Sequence, residues 1–479
     1  MSEESSRPLE GRHIAVTGGG YTASHARRLL AELGAEPGDR AEATCNLDNA
    51  PSPLADWAAS GAMSLTGHKT GPPIASEGNP AGAVRGALAV FSTLSRVSTE
   101  QTPVLPGIGL LGERAAMSGF TRRAPWSCGG AFRALPTRDG WLGISLPRED
   151  DLALIPALIE GDQSDASPWD CVESWVRRRT AEESVARAQL LGIAAAVIPR
   201  SNAKADDQAN HRRGRAGRAG TMLLTQAGGR RKREHGVPLV IDLTSLWAGP
   251  LCAHLLGLAG AEVIKVESTS RPDGARSGPP EFFDLLHEGH AAVTIDFTSQ
   301  AGLDTLRRLV DGADVVLEAS RPRAMQQLGI DANEAVAAGT IWTSITSYGR
   351  TGPWANRVGF GDDVAAAVGL AVSDGKTLLP CGDALADPLA GVHAAVATMA
   401  ALMSDRAQLI DVSMRDVAAA VATSVIEPHE VVEGPDAHWQ VNTESGSFAV
   451  MDPQARRPAR TASKFGQDTI STLRRLGLS

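Results

Sequence analysis

Aromatic residues make up only 4% of this 479-residue chain, and tyrosine occurs twice, at Tyr21 and Tyr348. Proteins that grip single-stranded nucleic acid stack its bases on aromatic rings, so this scarcity speaks against that class. A surplus of positive charge is missing too. The 46 basic and 55 acidic residues give a formal net charge of −9, the wrong sign for a polyanion as main partner. The five cysteines (Cys45, Cys128, Cys171, Cys252, Cys381) are scattered and never form a CxxC pair, which argues against a disulfide framework or a zinc site. No run approaches the roughly 18 consecutive apolar residues of a membrane span. The opening residues, MSEESSRPLEGR, hold no apolar export core. The expectation is a cytoplasmic protein with neither nucleic acid nor membrane as partner.

What is present is an ordinary globular composition, 43% apolar and 21% charged, in a chain long enough for two or three domains. Residues 201–235 break the texture, being rich in Arg, Gly and Ala and poor in core-forming residues, and read as a basic flexible linker. On either side the sequence repeats itself. ARRLLAELGAE ends at Glu36 and CAHLLGLAGAE ends at Glu262, an offset of 226, and each follows a strand-like run, HIAVT or LVIDLT. At an offset of 308, 80-PAGAVRGALAVFSTL matches 388-PLAGVHAAVATMAAL without a gap. Each first match reads as strand, turn, amphipathic helix and a helix-ending Gly, so a duplicated α/β unit is predicted, its second copy the more complete.

In that second copy, VPLVIDLT, AEVIKVE, AAVTIDF, DVVLEA and GTIWTSITSYG alternate with helical stretches, which predicts a mostly parallel sheet covered by helices. Residues 126–200 differ. FRALPTRDGWLGISLP reads as a β-hairpin turning at Asp139-Gly140, followed by helices, in a small α+β domain.

Three windows carry candidate chemistry. In 16-VTGGGYTAS, Ser24 stands where a dinucleotide fingerprint wants its third glycine, and Tyr348 has no Lys four residues on, so a nicotinamide site is not expected. In 245-SLWAGPLCAHLLG, Ala248 and Gly249 allow close approach of a ligand to backbone at a helix start. In 382-GDALADPLAGVHAAV, Asp387 precedes an Ala-rich helix; it is either an N-cap or an ionised carboxylate nucleophile.

Taken in order, LTSLWAGP (from Leu243), LAGAEVIKVE (from Leu258), VTID (from Val293), ADVVLE (from Ala313), Arg321-Pro322, Leu328-Gly329, 347-SYGRTGPWANRVGF, 386-ADPLAG, 410-IDVSMRD and 465-FGQDTISTLRRLGLS resemble the class III CoA-transferases, the CaiB/BaiF family. The resemblance covers nearly all of residues 238–425, and 139-DGWLGISLP with 168-PWDCVESWVRRRTAEE resembles that family's small domain. It implies an α/β fold with a Rossmann-like, mostly parallel sheet in two unequal large-domain copies plus a small α+β domain. The implied division is a degenerate large-domain copy at 1–125, the small domain at 126–200, the linker at 201–235, an intact large domain at 236–430 and a tail at 431–479 packing back on it. At the first copy's equivalent of Asp387 stands Asn79, which cannot act as a carboxylate nucleophile. Family members are interlocked homodimers, so a pseudo-dimer within one chain, or a homodimer, is implied.

The implied activity moves coenzyme A from an acyl-CoA thioester to a carboxylic acid acceptor, with the thioester as substrate and no permanently bound cofactor. Asp387 would attack the thioester, form a mixed anhydride and then an aspartyl-CoA thioester, and pass CoA on by the reverse steps. A carboxylate of ordinary pKa is fully ionised at neutral pH. Ser245, Leu246, Trp247, Ala248 and Tyr348 fall at CoA-contact positions. Arg276, Arg321 and Arg323 are candidate phosphate contacts, because His290 and Gln327 stand where some members carry a basic residue. Two alternatives are a non-catalytic acyl-CoA-binding paralogue and a 2-methylacyl-CoA racemase. The racemase adds a His where this chain has Gly359-Phe360-Gly361, and His393 reads as a packed or capping histidine.

Overall fold

The computed structural model describes residues 7–38, 41–99, 102–161, 166–199, 221–232, 236–422, 426–434 and 438–478. Near the N-terminus, β1 (Ile14–Val16) and β2 (Ala43–Cys45) form a two-stranded parallel pair joined through the helix Gly20–Glu32. A three-stranded antiparallel sheet follows, made of β3 (Phe132–Pro136), β4 (Trp141–Ser145) and β5 (Ala194–Ile198). β3 and β4 form the expected hairpin, with Pro136 opposite Trp141.

The main sheet contains β6 (Leu223–Arg230), β7 (Leu239–Asp242), β8 (Glu262–Ser268), β9 (Ala291–Ile295), β10 (Val315–Glu318), β11 (Ile341–Thr346) and, after the short ribbon of β12 (Val372–Ser373) and β13 (Leu378–Leu379), β14 (Arg406–Ser413). Its strand order is β6-β14-β11-β10-β7-β8-β9, parallel throughout except for the antiparallel β6–β14 pair. Side chains alternate between the faces of a strand, and the core divides accordingly. Val240, Val315, Leu317, Ile345 and Ile410 face the helices of one layer, while Leu239, Ile241, Val266, Val316 and Trp342 face those of the other. Sheets buried on both faces read as continuous apolar runs, which is why these strands were legible.

The linker expectation for 201–235 fails over Leu223–Arg230, which form the edge strand β6. Residues 200–220 and 233–235 lie outside the described residues. The glycines that suggested flexibility have a packing reason. A Cβ at Gly228 would lie 2.3 Å from Val336 Cγ1, and one at Gly229 would lie 2.1 Å from the Ala337 carbonyl oxygen. The helix Ala332–Ala337 presses on the strand so closely that only glycine fits.

Two helix ends agree with the repeat. The helices Gly20–Glu32 and Ala248–Leu258 are followed by Gly34 and Gly260, in the left-handed region at φ 98° and 96°. Residues 1–125, expected as a degenerate large-domain copy, contain among the described residues only the β1–β2 pair and no large sheet. The helix Ala386–Leu402 is buried on all sides, as expected of a helix apolar all round. It packs on the helices Pro80–Thr99 and Ala248–Leu258, so the N-terminal segment joins the same core. The tail returns as well. Asp468 accepts from the Ala292 amide of β9 at 2.9 Å, and Met451 donates to the Ala58 carbonyl at 2.9 Å. Among the described residues no helix is long and apolar enough to cross a membrane.

Candidate active site

The carboxyl ends of β7, β10 and β11 open onto one edge of the main sheet, where ligands of open α/β sheets bind. The turn after β7 carries Ser245 and Leu246, both exposed, then Trp247 and Ala248, both buried at the start of their helix. Leu246 has φ 72°, a left-handed conformation that costs a branched side chain strain. A fully buried network holds it there. Asp273 Oδ1 accepts from the Leu246 amide at 3.0 Å, and Asp273 Oδ2 pairs with Lys265 Nζ at 2.8 Å. The same ammonium donates to the Thr244 carbonyl and lies 3.8 Å from Asp242 Oδ2. Tyr348, just past β11, is buried with its ring edge-on to Trp354 at 5.8 Å.

Asp387 lies one helical turn from this turn. A Cβ on Gly391 would sit 2.5 Å from the Ala248 carbonyl oxygen, so the two helices meet with almost no separation. Asp387 is the second residue of its helix, and the N-cap position belongs to Leu385. The capping reading of Asp387 is therefore not realised. Its carboxylate is partly buried and accepts from the Gly361 amide. A Cβ at Gly361 would lie 2.4 Å from Asp387 Oδ2 and 2.1 Å from the Ala384 carbonyl oxygen, so that approach requires glycine.

The surroundings of Asp387 are crowded with like charge. Asp383, 1% exposed, is held by Arg114 (Nε to Oδ2 2.9 Å, with Nη2 on Oδ1) and by the Cys128 thiol at 3.3 Å. Asp362 accepts from the Ala384 amide at 3.0 Å, and Asp363 accepts from the Ser145 hydroxyl of β4 at 2.7 Å. Burial, with Asp362 and Asp383 adding to it against the opposing pull of Arg114, raises Asp387 to about 7. Burial and Asp383 raise Asp362 to about 6, and burial raises Asp363 to about 7. The expectation that Asp387 is fully ionised at neutral pH is thus corrected. The helix start favours the anion, but desolvation and two neighbouring carboxylates outweigh it.

Sequence reading missed Arg114, Asp362 and Asp383. Arg114 lies in the short helix Glu113–Ser118, far from the matched motifs, and its guanidinium also covers the Trp247 ring at 4.9 Å. No local pattern around it signals a site.

The phosphate-contact candidates divide. Arg276 is committed to Glu267 through a forked pair (Nε to Oε1 3.0 Å, Nη2 to Oε2 2.6 Å) and packs over the Phe283 ring. It is not the free clamp that the sequence suggested. His290 is buried, and burial lowers it to about 3, so it is neutral and turned away from solvent. Arg321 and Arg323 are exposed at the head of the helix Pro322–Gln327, which follows β10 on the same edge as Ser245. His393 is fully buried in its helix and contacts His25, as a packed histidine does. In the Gly-rich stretch after β1, a Cβ at Gly18 would lie 2.3 Å from the Leu47 carbonyl oxygen, so its glycine serves backbone packing.

Residues 236–452 match the model of CoA-transferase family III. Over 208 residues the chain is 30% identical to the succinyl-CoA–D-citramalate CoA-transferase of Chloroflexus aurantiacus, covering 40% of this chain and 52% of that protein. It is 34% identical over 210 residues to a probable fatty acyl-CoA transferase of Mycobacterium tuberculosis, covering 40% and 52%. A crystal structure of a CaiB/BaiF family protein from Brucella suis aligns at 26% identity over 45% of this chain and 66% of that one, with a TM-score of 0.40. The chain spans about half the length of the curated relatives it matches. By sequence match and ordered motifs together, the stretch from 236 to 452 belongs to CoA-transferase family III, the CaiB/BaiF family.

Proposed function

We propose that this chain transfers coenzyme A from an acyl-CoA thioester to a free carboxylic acid, with Asp387 as covalent nucleophile. One observation carries the reading: a partly buried carboxylate at a helix start, with a backbone amide on it, beside the Ser245–Ala248 turn. An Asp387 oxygen attacks the thioester carbonyl, the C–S bond breaks, and CoA thiolate leaves an acyl-aspartyl anhydride. The thiolate attacks the Asp387 side-chain carbonyl, releasing the donor acid and leaving an aspartyl-CoA thioester. The acceptor carboxylate reverses both steps and restores Asp387, with no net proton change. The Gly361 amide is a donor for the oxyanion that forms when thiolate attack makes the Asp387 side-chain carbon tetrahedral. The named relatives, among them a succinate–glutarate CoA-transferase of Agrobacterium fabrum, make succinyl-CoA the first donor to try.

The division into a degenerate first copy and an intact second copy belongs to the same proposal. Asn79, the counterpart of Asp387, is buried, and its amide donates to the Val421 carbonyl at 3.3 Å. A single catalytic site per chain follows, and the packing of the helices Pro80–Thr99 and Ala386–Leu402 suits a pseudo-dimer within one chain.

A second reading, a non-catalytic acyl-CoA-binding protein, draws support from the commitment of Arg276 to Glu267 and the burial of His290. Incubation with succinyl-CoA and hydroxylamine separates the two. A hydroxamate at Asp387, absent from Asp387→Asn, supports the transferase, whereas acyl-CoA binding with no adduct across a panel of thioesters supports the second reading.

A further inference from the structure

The loop that delivers Asp387 to its helix is gripped by residues far away in the sequence. Ala384 holds φ 44°, a left-handed conformation that a non-glycine residue keeps only where its surroundings enforce it. Asp362 holds the Ala384 amide at 3.0 Å, and the rest of the grip, on Gly382 and Asp383, comes from the N-terminal part of the chain. Thr66 Oγ1 accepts from the Gly382 amide at 2.9 Å, and the Trp57 ring lies 3.4 Å from where a Gly382 Cβ would be. Cys128 Sγ contacts the Gly382 carbonyl at 3.6 Å, and Arg114 forks onto Asp383. Of these four N-terminal side chains only Arg114 is charged, and it alone also reaches the candidate CoA turn, through the Trp247 ring.

We infer that Arg114 is a positioning residue for the Asp387 reaction: its guanidinium ties the Gly382–Leu385 loop to the Trp247 turn and is the cation that faces Asp362, Asp383 and Asp387. The inference rests on the transferase reading and deepens it, because it gives the N-terminal part work at the site. Three carboxylates crowd one guanidinium, so the ionisation of Asp387 depends on the balance between Arg114 and its acidic neighbours. The Cys128 thiol, held protonated by burial and by Asp383, adds no charge. A residue that only braced the fold would leave that balance alone.

The test uses the full chain and three variants, Arg114→Met, Arg114→Lys and Asp383→Asn, each checked for a cooperative thermal transition. Transfer from succinyl-CoA is followed across pH, and carbodiimide labelling of Asp387, read by peptide mass spectrometry, gives its protonation midpoint whether or not the protein turns over. Loss of Arg114 raises the midpoint by about one pH unit, because an opposite charge is gone, while Asp383→Asn lowers it, because a like charge is gone. Arg114→Lys keeps the wild-type midpoint. Arg114→Met also lowers kcat about fivefold at pH 7, as a one-unit rise from about 7 requires, with KM for acyl-CoA little changed. Midpoints that shift in the same direction in Arg114→Met and Asp383→Asn, or shift in neither, overturn the inference. If wild type forms no hydroxamate at Asp387, the transferase reading falls, and the labelling midpoints still decide what Arg114 does. Should Arg114→Met not fold, Arg114→Gln takes its place, with the same raised midpoint expected and an unshifted one overturning the inference.

Discussion

His25 and His393 meet in the core with their Nε2 atoms 2.8 Å apart and their rings at 83°, joining the helix Gly20–Glu32 to the helix that carries Asp387. The partners fix the protons. His393 Nδ1 lies 2.7 Å from the Leu389 carbonyl and must donate to it, so His393 Nε2 is the acceptor and His25 Nε2–H the donor. Neither ring can take a second proton without placing charge in an apolar interior. Burial lowers His25 well below its usual value and lowers His393 to about 4.

An acid-dependent loss of stability follows, with a definite sign. The unfolded chain protonates these histidines near pH 6.5 while the folded chain resists, so unfolding takes up protons and stability falls as pH drops below 6.5. Each such group contributes a slope of about 1.4 kcal/mol per pH unit. His25→Gln keeps a donor toward His393 and removes one titrating ring. Between pH 7 and pH 5, urea denaturation is expected to show wild type losing about 2 kcal/mol more than His25→Gln. Equal losses in the two proteins would mean that His25 titrates normally in the fold.

Turnover has its own pH dependence. A nucleophilic carboxylate works only when ionised, and Asp387 is raised to about 7 by burial and by its acidic neighbours. The rate of CoA transfer is therefore expected to climb through pH 7 and to fall about tenfold per unit on the acid side. Asp362→Asn removes one of the like charges and should move that limb to lower pH. Stopped assays over pH 5–9 with a fixed donor decide it, and a rate flat from pH 5 upward would contradict the raised value.

How far the sequence carried this reading depended on the range of the interactions. Helix ends at Gly34 and Gly260, the hairpin at Asp139-Gly140 and the parallel strands are set within a few residues, and all were legible. Asp387 was legible as a helix-start carboxylate because its motif is local. Its ionisation was not, since the groups that set it are Arg114, Asp362 and Asp383, brought together only by the fold. β6 failed for a related reason. Its Gly-Gly and Arg residues look like linker chemistry until the helix Ala332–Ala337 is seen pressing on Gly228 and Gly229. Arg276 misled in the opposite way, since an isolated Arg suits phosphate and nothing in its neighbourhood announced that Glu267 had taken it.

The Lys265 network offers a test of what holds the candidate CoA turn. Lys265 is 1% exposed, and removing its ammonium leaves Asp242 and Asp273 buried together without a cation. Lys265→Met is expected to cost about 3–5 kcal/mol in urea denaturation. At temperatures where the variant stays folded, KM for acyl-CoA should rise because Asp273 no longer fixes the Leu246 amide. Lys265→Met with Asp273→Asn should recover part of the stability by removing one stranded charge.

Gly361 gives the sharpest geometric prediction. Its φ is not in the left-handed region, so its glycine is not needed for backbone conformation; it is needed for space, with Asp387 Oδ2 2.4 Å and the Ala384 carbonyl oxygen 2.1 Å from a hypothetical Cβ. Gly361→Ala must push either the nucleophile or the loop aside by more than half an ångström, and a misplacement of about 1 Å at a reacting group can cost on the order of a hundredfold in rate. The loop is tied down by Thr66, Cys128 and Arg114, so its shift costs stability, and Asp387 is displaced along with it. Gly361→Ala should therefore lower the thermal transition by several degrees through the backbone clash and, at temperatures where it stays folded, lose on the order of a hundredfold in kcat and form little hydroxamate at Asp387. The same alanine change at Gly312, which has nothing within 4 Å of its Cβ position, should leave kcat unchanged. Equal activity in Gly361→Ala and wild type would show that the Asp387 carboxylate does not react from the position it holds against the Gly361 amide.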